Sequence, residues 1–197
     1  MDKRAALRDS RKKALARQNL IMVIVGIGLV LIAVAVFLAL PSAQVEVQQT
    51  GSSAVPIAVN FPAPDVQLTD LNNQPVALAD YKGQVILYNA WATWCPPCKE
   101  EMPTLEAYYQ DHKDSGFVIV AIEDGEPASE VAAFAKDYHL SFPVWPDAKW
   151  VASTAFKTSG LPTSFVIDRG GTVRLTWTGA ITRDKLDKYV TPIINEQ

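Results

Sequence analysis

Residues 94–98 read Trp-Cys-Pro-Pro-Cys and contain both cysteines of this 197-residue chain. Two thiols separated by two residues can close a small disulfide ring and reopen it, so the chemistry this spacing offers is thiol–disulfide exchange. The pair follows an apolar run, Val85 to Trp91, that reads as a buried strand, and it precedes Lys99-Glu100-Glu101-Met102, which reads as the start of a helix. At such a junction the helix dipole and the free backbone N–H groups both favour a thiolate. Other uses of the pair fit less well. A structural staple between positions three apart closes too small a loop to stabilise much. Zinc needs about four ligands, and His112 and His139 stand at no ligand spacing from the pair. Haem attachment needs a His after the second Cys, where this chain has Lys99.

Pro96 and Pro97 tune the pair. Neither has a backbone N–H, so fewer donors can reach a Cys95 thiolate. No His lies between the cysteines to stabilise that thiolate by charge. A strong oxidant needs an unusually stable reduced form. These residues therefore point to a reductant or a mildly reducing exchanger.

The elements that position the pair can be read outward from it. Val66 to Thr69 and Val76 to Leu78 read as short strands around an Asn72-Asn73 turn. The main strand spans 84–91, and a helix runs from about 97 to 114 with Pro103 expected to kink it. Phe117 to Ile122 is a second apolar strand, and Ser129 to Tyr138 has helical spacing of Val131, Phe134 and Tyr138. Phe142 to Trp145 is a short strand, 148–157 a short helix, and Thr163 to Ile167 a strand whose hairpin partner is Val173 to Trp177. Thr182 caps a last helix reaching about 194. Strands alternating with helices predict an α/β fold, a central mixed sheet with helices on both faces.

Charge is uneven along the chain. Residues 1–19 carry seven basic side chains against two acidic, a net +5, which leaves −8 on the remainder of an overall −3. The acidic remainder lacks the basic surface that sequence-independent nucleic-acid binding requires. The span 20–40 has no charged residue, and as a helix it would measure roughly 31 Å, enough to cross a bilayer core. The basic flank predicts a cytoplasmic N-terminus and an exported remainder. A cleaved signal peptide is the alternative. Its apolar region is usually about 7–15 residues, and Leu40-Pro41-Ser42-Ala43 lacks the small residue two before Ala43. The expected organisation is a basic tail over 1–19, a transmembrane anchor over 20–40, a linker over 41–60 and the folded domain over 61–197. In an oxidising compartment the two cysteines will meet oxidants.

Trp-Cys-Pro-Pro-Cys, its preceding strand and Gly160-Leu161-Pro162-Thr163 resemble a thioredoxin fold. With Asn89, Glu101-Met102-Pro103, the leading hairpin and the insertion from Glu123 to Tyr138, residues 61–194 more closely resemble the membrane-anchored TlpA/ResA-like thiol–disulfide oxidoreductases. The resemblance implies a thioredoxin-like domain with an N-terminal β-hairpin extension, preceded by one transmembrane helix. It implies that Cys95 is the nucleophile, at the helix N-terminus and partly exposed, and that the more buried Cys98 resolves the mixed disulfide. Pro162 aligns with the family's cis-proline, which turns the Leu161 backbone toward the site to pair with an extended substrate segment. Trp94 packs beside Cys95 and shapes the docking surface together with Pro96. Trp91 is expected in the core, Trp145, Trp150 and Trp177 as packing residues, and Lys99 on the solvated helix surface.

Asn89 departs from thioredoxins, which place a proton-relaying Asp at this point of the strand. The resemblance implies a Glu of the inserted segment instead, and Glu126 matches it. Desolvation near the cysteines would raise its pKa and let it accept the Cys98 proton. No organic cofactor is implied. The implied partners are an exported disulfide-containing substrate, with apocytochrome c among the targets, and a membrane thiol carrier of the CcdA or DsbD kind as electron donor. An acidic domain on a flexible linker suggests a monomer. Two other functions stay open on the residues. A thiol pair can hold Cu(I), though the methionines are only Met1, Met22 and Met102. Thiol peroxidase chemistry would need a different Cys context and a supporting Arg, and no Arg is near the pair.

Overall fold

Seven consecutive buried residues, Val85–Trp91, form the central strand of a computed structural model that describes residues 54–196 and Gly28. The chain divides into two units, Met1–Gln49 and Thr50–Gln197, and the fold described is that of the second. The anchor expected over 20–40 lies, apart from Gly28, outside the described residues, as does the basic tail. Among the described residues, no helix is long and apolar enough to cross a membrane.

In chain order the strands are β1 (Ile57–Pro62), β2 (Gln67–Thr69), β3 (Pro75–Ala77), β4 (Val85–Trp91), β5 (Phe117–Asp124), β6 (Val144–Asp147), β7 (Thr163–Ile167) and β8 (Thr172–Thr178). The helices are α1 (Pro96–His112), α2 (Ala128–Asp137), α3 (Val151–Phe156), α4 (Arg183–Tyr189) and α5 (Thr191–Ile194). Six strands form one sheet in the order β1-β8-β7-β4-β5-β6. β4, β5 and β6 run parallel, and β7, β8 and β1 complete the sheet antiparallel. β2 and β3 pair as a separate hairpin. This is a thioredoxin-like α/β fold with a mixed central sheet and flanking helices.

The sheet is covered on both faces, which is why β4 reads as a continuous apolar run rather than an alternating one. Its residues nonetheless alternate between two cores. Val85, Leu87 and Trp91 join one cluster with Met102 and Leu105 of α1, Val131 and Phe134 of α2, and Leu186 of α4. Ile86, Tyr88 and Ala90 join the other, with Ala152 and Phe156 of α3 and Val66 and Leu78 beside the hairpin. Leu105 is fully buried, and truncating such a residue to Ala costs about 2–5 kcal/mol. α1 continues through Pro103.

The expected linker end is corrected by β1. Residues 57–60 belong to a strand that pairs with β8, Ile57 opposite Thr176 and Ala58 opposite Leu175, so the fold begins before residue 61. β1 is an edge strand, with only Val59 and Phe61 half-buried. Ile57, Val59 and Phe61 alternate as a strand's apolar residues do, a signal masked by the Ser, Gln, Val and Ala-rich composition of the segment that runs into them.

Candidate active site

Where β4 ends, a short turn delivers Cys95 to the N-cap of α1. Pro96 and Pro97 occupy the first two helical positions, where a missing N–H is tolerated because no carbonyl lies in reach. The first N–H that α1 offers is that of Cys98, which donates to Cys95 Sγ at 3.3 Å. The two sulfurs are joined as a disulfide with Cα atoms 5.3 Å apart.

Cys98 is fully buried and Cys95 is 3 % exposed. The expected order of burial is therefore present, but Cys95 is nearly covered rather than partly exposed. Its access is a cavity of about 430 Å³. Trp94, Pro96 and Leu161 line that cavity beside Cys95. Trp94 stands at its mouth, 60 % exposed. The Leu161–Pro162 bond is cis, and Pro162 itself is buried. Trp91, Trp145 and Trp177 are buried, but Trp150 is 43 % exposed and lines the same cavity, so it is not the packing residue expected. Trp150 takes a left-handed backbone at the entry to α3, which turns it out of the core.

Below the disulfide, α1 presents Cys98, Glu101, Met102 and Leu105 on one buried stripe. Glu101 is a carboxylate on that apolar stripe, one turn beyond Cys98 and 2 % exposed. The Asn89 side chain donates to Glu101 Oε1 at 2.9 Å and to Ser164 Oγ at 3.0 Å. The Ile181 N–H donates to Glu101 Oε2 at 3.2 Å. Burial pushes the Glu101 carboxyl up to about 8, against the lowering effect of the Asn89 and Ile181 hydrogen bonds. It is a desolvated acid on the helix that carries Cys98.

Glu126 is corrected accordingly. Burial alone would raise its pKa, but the Thr93 N–H at 3.2 Å and its hydrogen bond with Glu123 outweigh that and hold it below the ordinary value. Such a group stays ionised and is a poor proton acceptor near neutral pH. The raised acids are its neighbours on β5. Glu123, fully buried, is pushed up to about 8 by burial and then by Glu126, while Asp124, 1 % exposed, is pushed up to about 6 by burial despite the Ser153 hydroxyl. Sequence reasoning passed over Glu101 and Asp124. The available signal for Glu101 was its i, i+3 spacing from Cys98 on the apolar face of α1.

Residues 59–176 match the AhpC/TSA family. The thiol-disulfide oxidoreductase ResA of Geobacillus kaustophilus is 37 % identical over 137 residues, covering 70 % of this chain and 79 % of that protein. ResA of Bacillus subtilis is 38 % identical over 128 residues, covering 65 % and 72 %. The chain belongs to the ResA-like thiol–disulfide oxidoreductases of the thioredoxin superfamily. Among solved structures, a thioredoxin-family thiol:disulfide interchange protein from Chlorobium tepidum superposes with a TM-score of 0.64 at 29 % identity, covering 71 % of this chain and 99 % of that one. A secreted thiol-disulfide isomerase from Corynebacterium glutamicum shares the fold at a TM-score of 0.67 and 21 % identity, covering 72 % and 93 %. This ResA-like chain is accordingly a protein-disulfide oxidoreductase.

Proposed function

We propose that Cys95 and Cys98 are the redox pair and that the protein reduces disulfides of exported proteins from a membrane-anchored position. The observation that carries this reading is the Cys95–Cys98 disulfide at the N-cap of α1, opening on a cavity that Leu161 and Trp94 also line. In the reduced protein the Cys95 thiolate attacks a partner disulfide. A Cys95–partner bond forms, the partner's S–S bond breaks, and one partner thiol leaves with a proton. Cys98 then gives up its proton and attacks Cys95 Sγ, which breaks the mixed disulfide and releases the second partner thiol. Two electrons pass to the partner, and an external dithiol carrier of the CcdA or DsbD kind resets the pair. Glu101, buried one turn from Cys98, replaces Glu126 as the group that takes the Cys98 proton. Trp94, Pro96 and Leu161 receive the partner, and the buried Pro162 supports Leu161 from the next position.

Two tests apply to the full chain in detergent. With Cys98→Ser, a stable mixed disulfide with a model substrate should accumulate, and with Cys95→Ser none should form. Accumulation through Cys98 instead would reverse the roles. The reduction potential should lie near or below about −250 mV, and a value near about −120 mV would make the protein an oxidant. The uncharged span 20–40 behind a basic flank supports an anchor with the domain outside, and the acidic character of that domain supports a monomer. Protease added to intact spheroplasts should then remove the domain and spare the tail. Apocytochrome c is one fitting target, since it too presents exported cysteines.

A further inference from the structure

The cavity beside Cys95 has a polar inner end that thiol exchange does not use. Its walls are apolar and aromatic, with Trp94 and Trp150 at the mouth and Pro96 and Leu161 between. Asp124, Ser153 and Thr158 line it as well. Asp124 is 1 % exposed. Its Oδ2 accepts the Ser153 hydroxyl, and its Oδ1 has no hydrogen-bond partner. The hydroxyls of Thr158 and of Tyr88 on the neighbouring strand are likewise buried without partners. Among the described residues, no Lys, Arg or His forms an ion pair with Asp124. The charge that acts on it comes from Asp147, its register neighbour on β6, which is also negative. Buried carboxylates are ordinarily paired with a cation, because leaving one alone is costly.

An aromatic cuff leading to an unpaired carboxylate is complementary to one kind of side chain. Lysine and arginine have an apolar stem and a cationic head. Indole faces attract such cations, and a cavity of about 430 Å³ has room for one long side chain. We propose that Asp124 selects partner segments carrying a lysine or arginine beside the disulfide cysteine, seating that side chain in the cavity while Cys95 attacks. This selectivity rests on the reading of Cys95 as nucleophile. A neutral residue in the same place leaves the carboxylate unpaired, and an acidic one meets a like charge, so discrimination comes from both attraction and rejection.

The test uses the full chain in detergent and three mixed-disulfide peptides that differ only in the residue after cysteine, Lys, Leu or Glu. Reduction of the Lys peptide should exceed that of the Glu peptide at least tenfold in kcat/KM, with Leu between. Asp124→Asn should bring the Lys-to-Glu ratio within twofold. Equal rates in the unmutated protein, or a preference for Leu, overturn the proposal whether or not the variant folds. A Lys preference that survives in folded Asp124→Asn also overturns it. If no peptide is reduced at all, the redox reading has failed. The selectivity is then read separately by indole fluorescence, titrating peptides that carry Ser for Cys. A tighter Kd for the Lys peptide upholds the cavity's role, and matching Kd values remove it.

Discussion

Asn89 in the middle of β4 donates a 2.9 Å hydrogen bond to Glu101 on α1, joining the central strand to the helix that carries Cys98. The bond fixes a buried carboxylate whose ionisation the interior resists. An unfolded Glu ionises near pH 4.5, while folded Glu101 holds its proton to about 8. Between those values the folded state binds more protons than the unfolded state, so stability falls as pH rises and levels off above the folded pKa. Glu101→Gln has no proton to lose. Its amide can donate to Asn89 Oδ1, which has no partner, once the Asn89 amide turns over. Stability of Glu101→Gln relative to the unmutated protein should therefore rise between about pH 5 and 8, by a few kcal/mol at most. Urea melts at three pH values check this, and parallel curves would mean that Glu101 titrates normally. The variant should also lose the inflection near pH 8 in the rate at which Cys98 resolves a mixed disulfide.

Glu123 and Glu126 share a second linkage. Glu123 is raised by burial and then by Glu126, whereas Glu126 is held low by hydrogen bonds with Thr93 and Glu123 that outweigh its own burial. The signs are opposite. The Glu123 contribution to stability is full below about pH 4.5 and is lost up to about 8, while that of Glu126 is full at neutral pH and is lost as pH falls through its depressed folded value. Glu126→Gln removes the neighbouring negative charge, so Glu123 should titrate at lower pH in the variant. Carboxyl carbon NMR shifts followed against pH measure this directly. An unmoved Glu123 would show that burial alone sets its pKa.

The contrast between these acids explains what was legible in the chain. Trp94-Cys95-Pro96-Pro97-Cys98 announced itself because Cys spacing, Pro content and the flanking strand-to-helix pattern agree locally. The hairpin around Asn72-Asn73 and the strand Thr163–Ile167 were legible for the same reason. Glu126 and Glu101 could not be separated that way. Whether a carboxylate is raised or lowered depends on partners 33 or 80 positions away, such as Thr93 for Glu126 and Ile181 for Glu101. Trp150 and Asp124 meet at one cavity only because β5, α3 and the start of α1 converge there. Neither residue type nor local spacing encodes that meeting.

Arg169 follows β7, and its guanidinium donates to the carbonyls of Gly83, Ser115, Gly116, Ile194 and Glu196, at 2.9 to 3.3 Å. It thereby ties the turns that enter β4 and β5 to the end of α5. Arg169→Ala leaves those carbonyls without a charged donor and should cost about 2–4 kcal/mol in urea unfolding. Arg169→Lys should recover less than half of the loss, because an ammonium lacks the planar fork that reaches several acceptors together. Exchange rates per folded molecule should stay unchanged, since Arg169 lines no part of the Cys95 cavity. Full rescue by Lys would reduce the role of Arg169 to its charge.

Gly125 holds Trp150 at the cavity mouth. Its φ is +104°, and a Cβ added there would lie 2.8 Å from Trp150 Cζ2. Gly125→Ala therefore meets two separate penalties, a backbone conformation that L residues disfavour and a clash with the indole. Together they should cost about 1–3 kcal/mol. The indole is half free to move, being 43 % exposed, so the clash should be relieved by displacement rather than by unfolding. A shift in indole fluorescence should accompany the lower melting temperature. A double-mutant cycle separates the two penalties. In a Trp150→Ala background the clash is gone, and Gly125→Ala should then cost only the backbone part. An undiminished cost in that background would mean that Gly125 serves the β5-to-α2 turn alone and does not position Trp150.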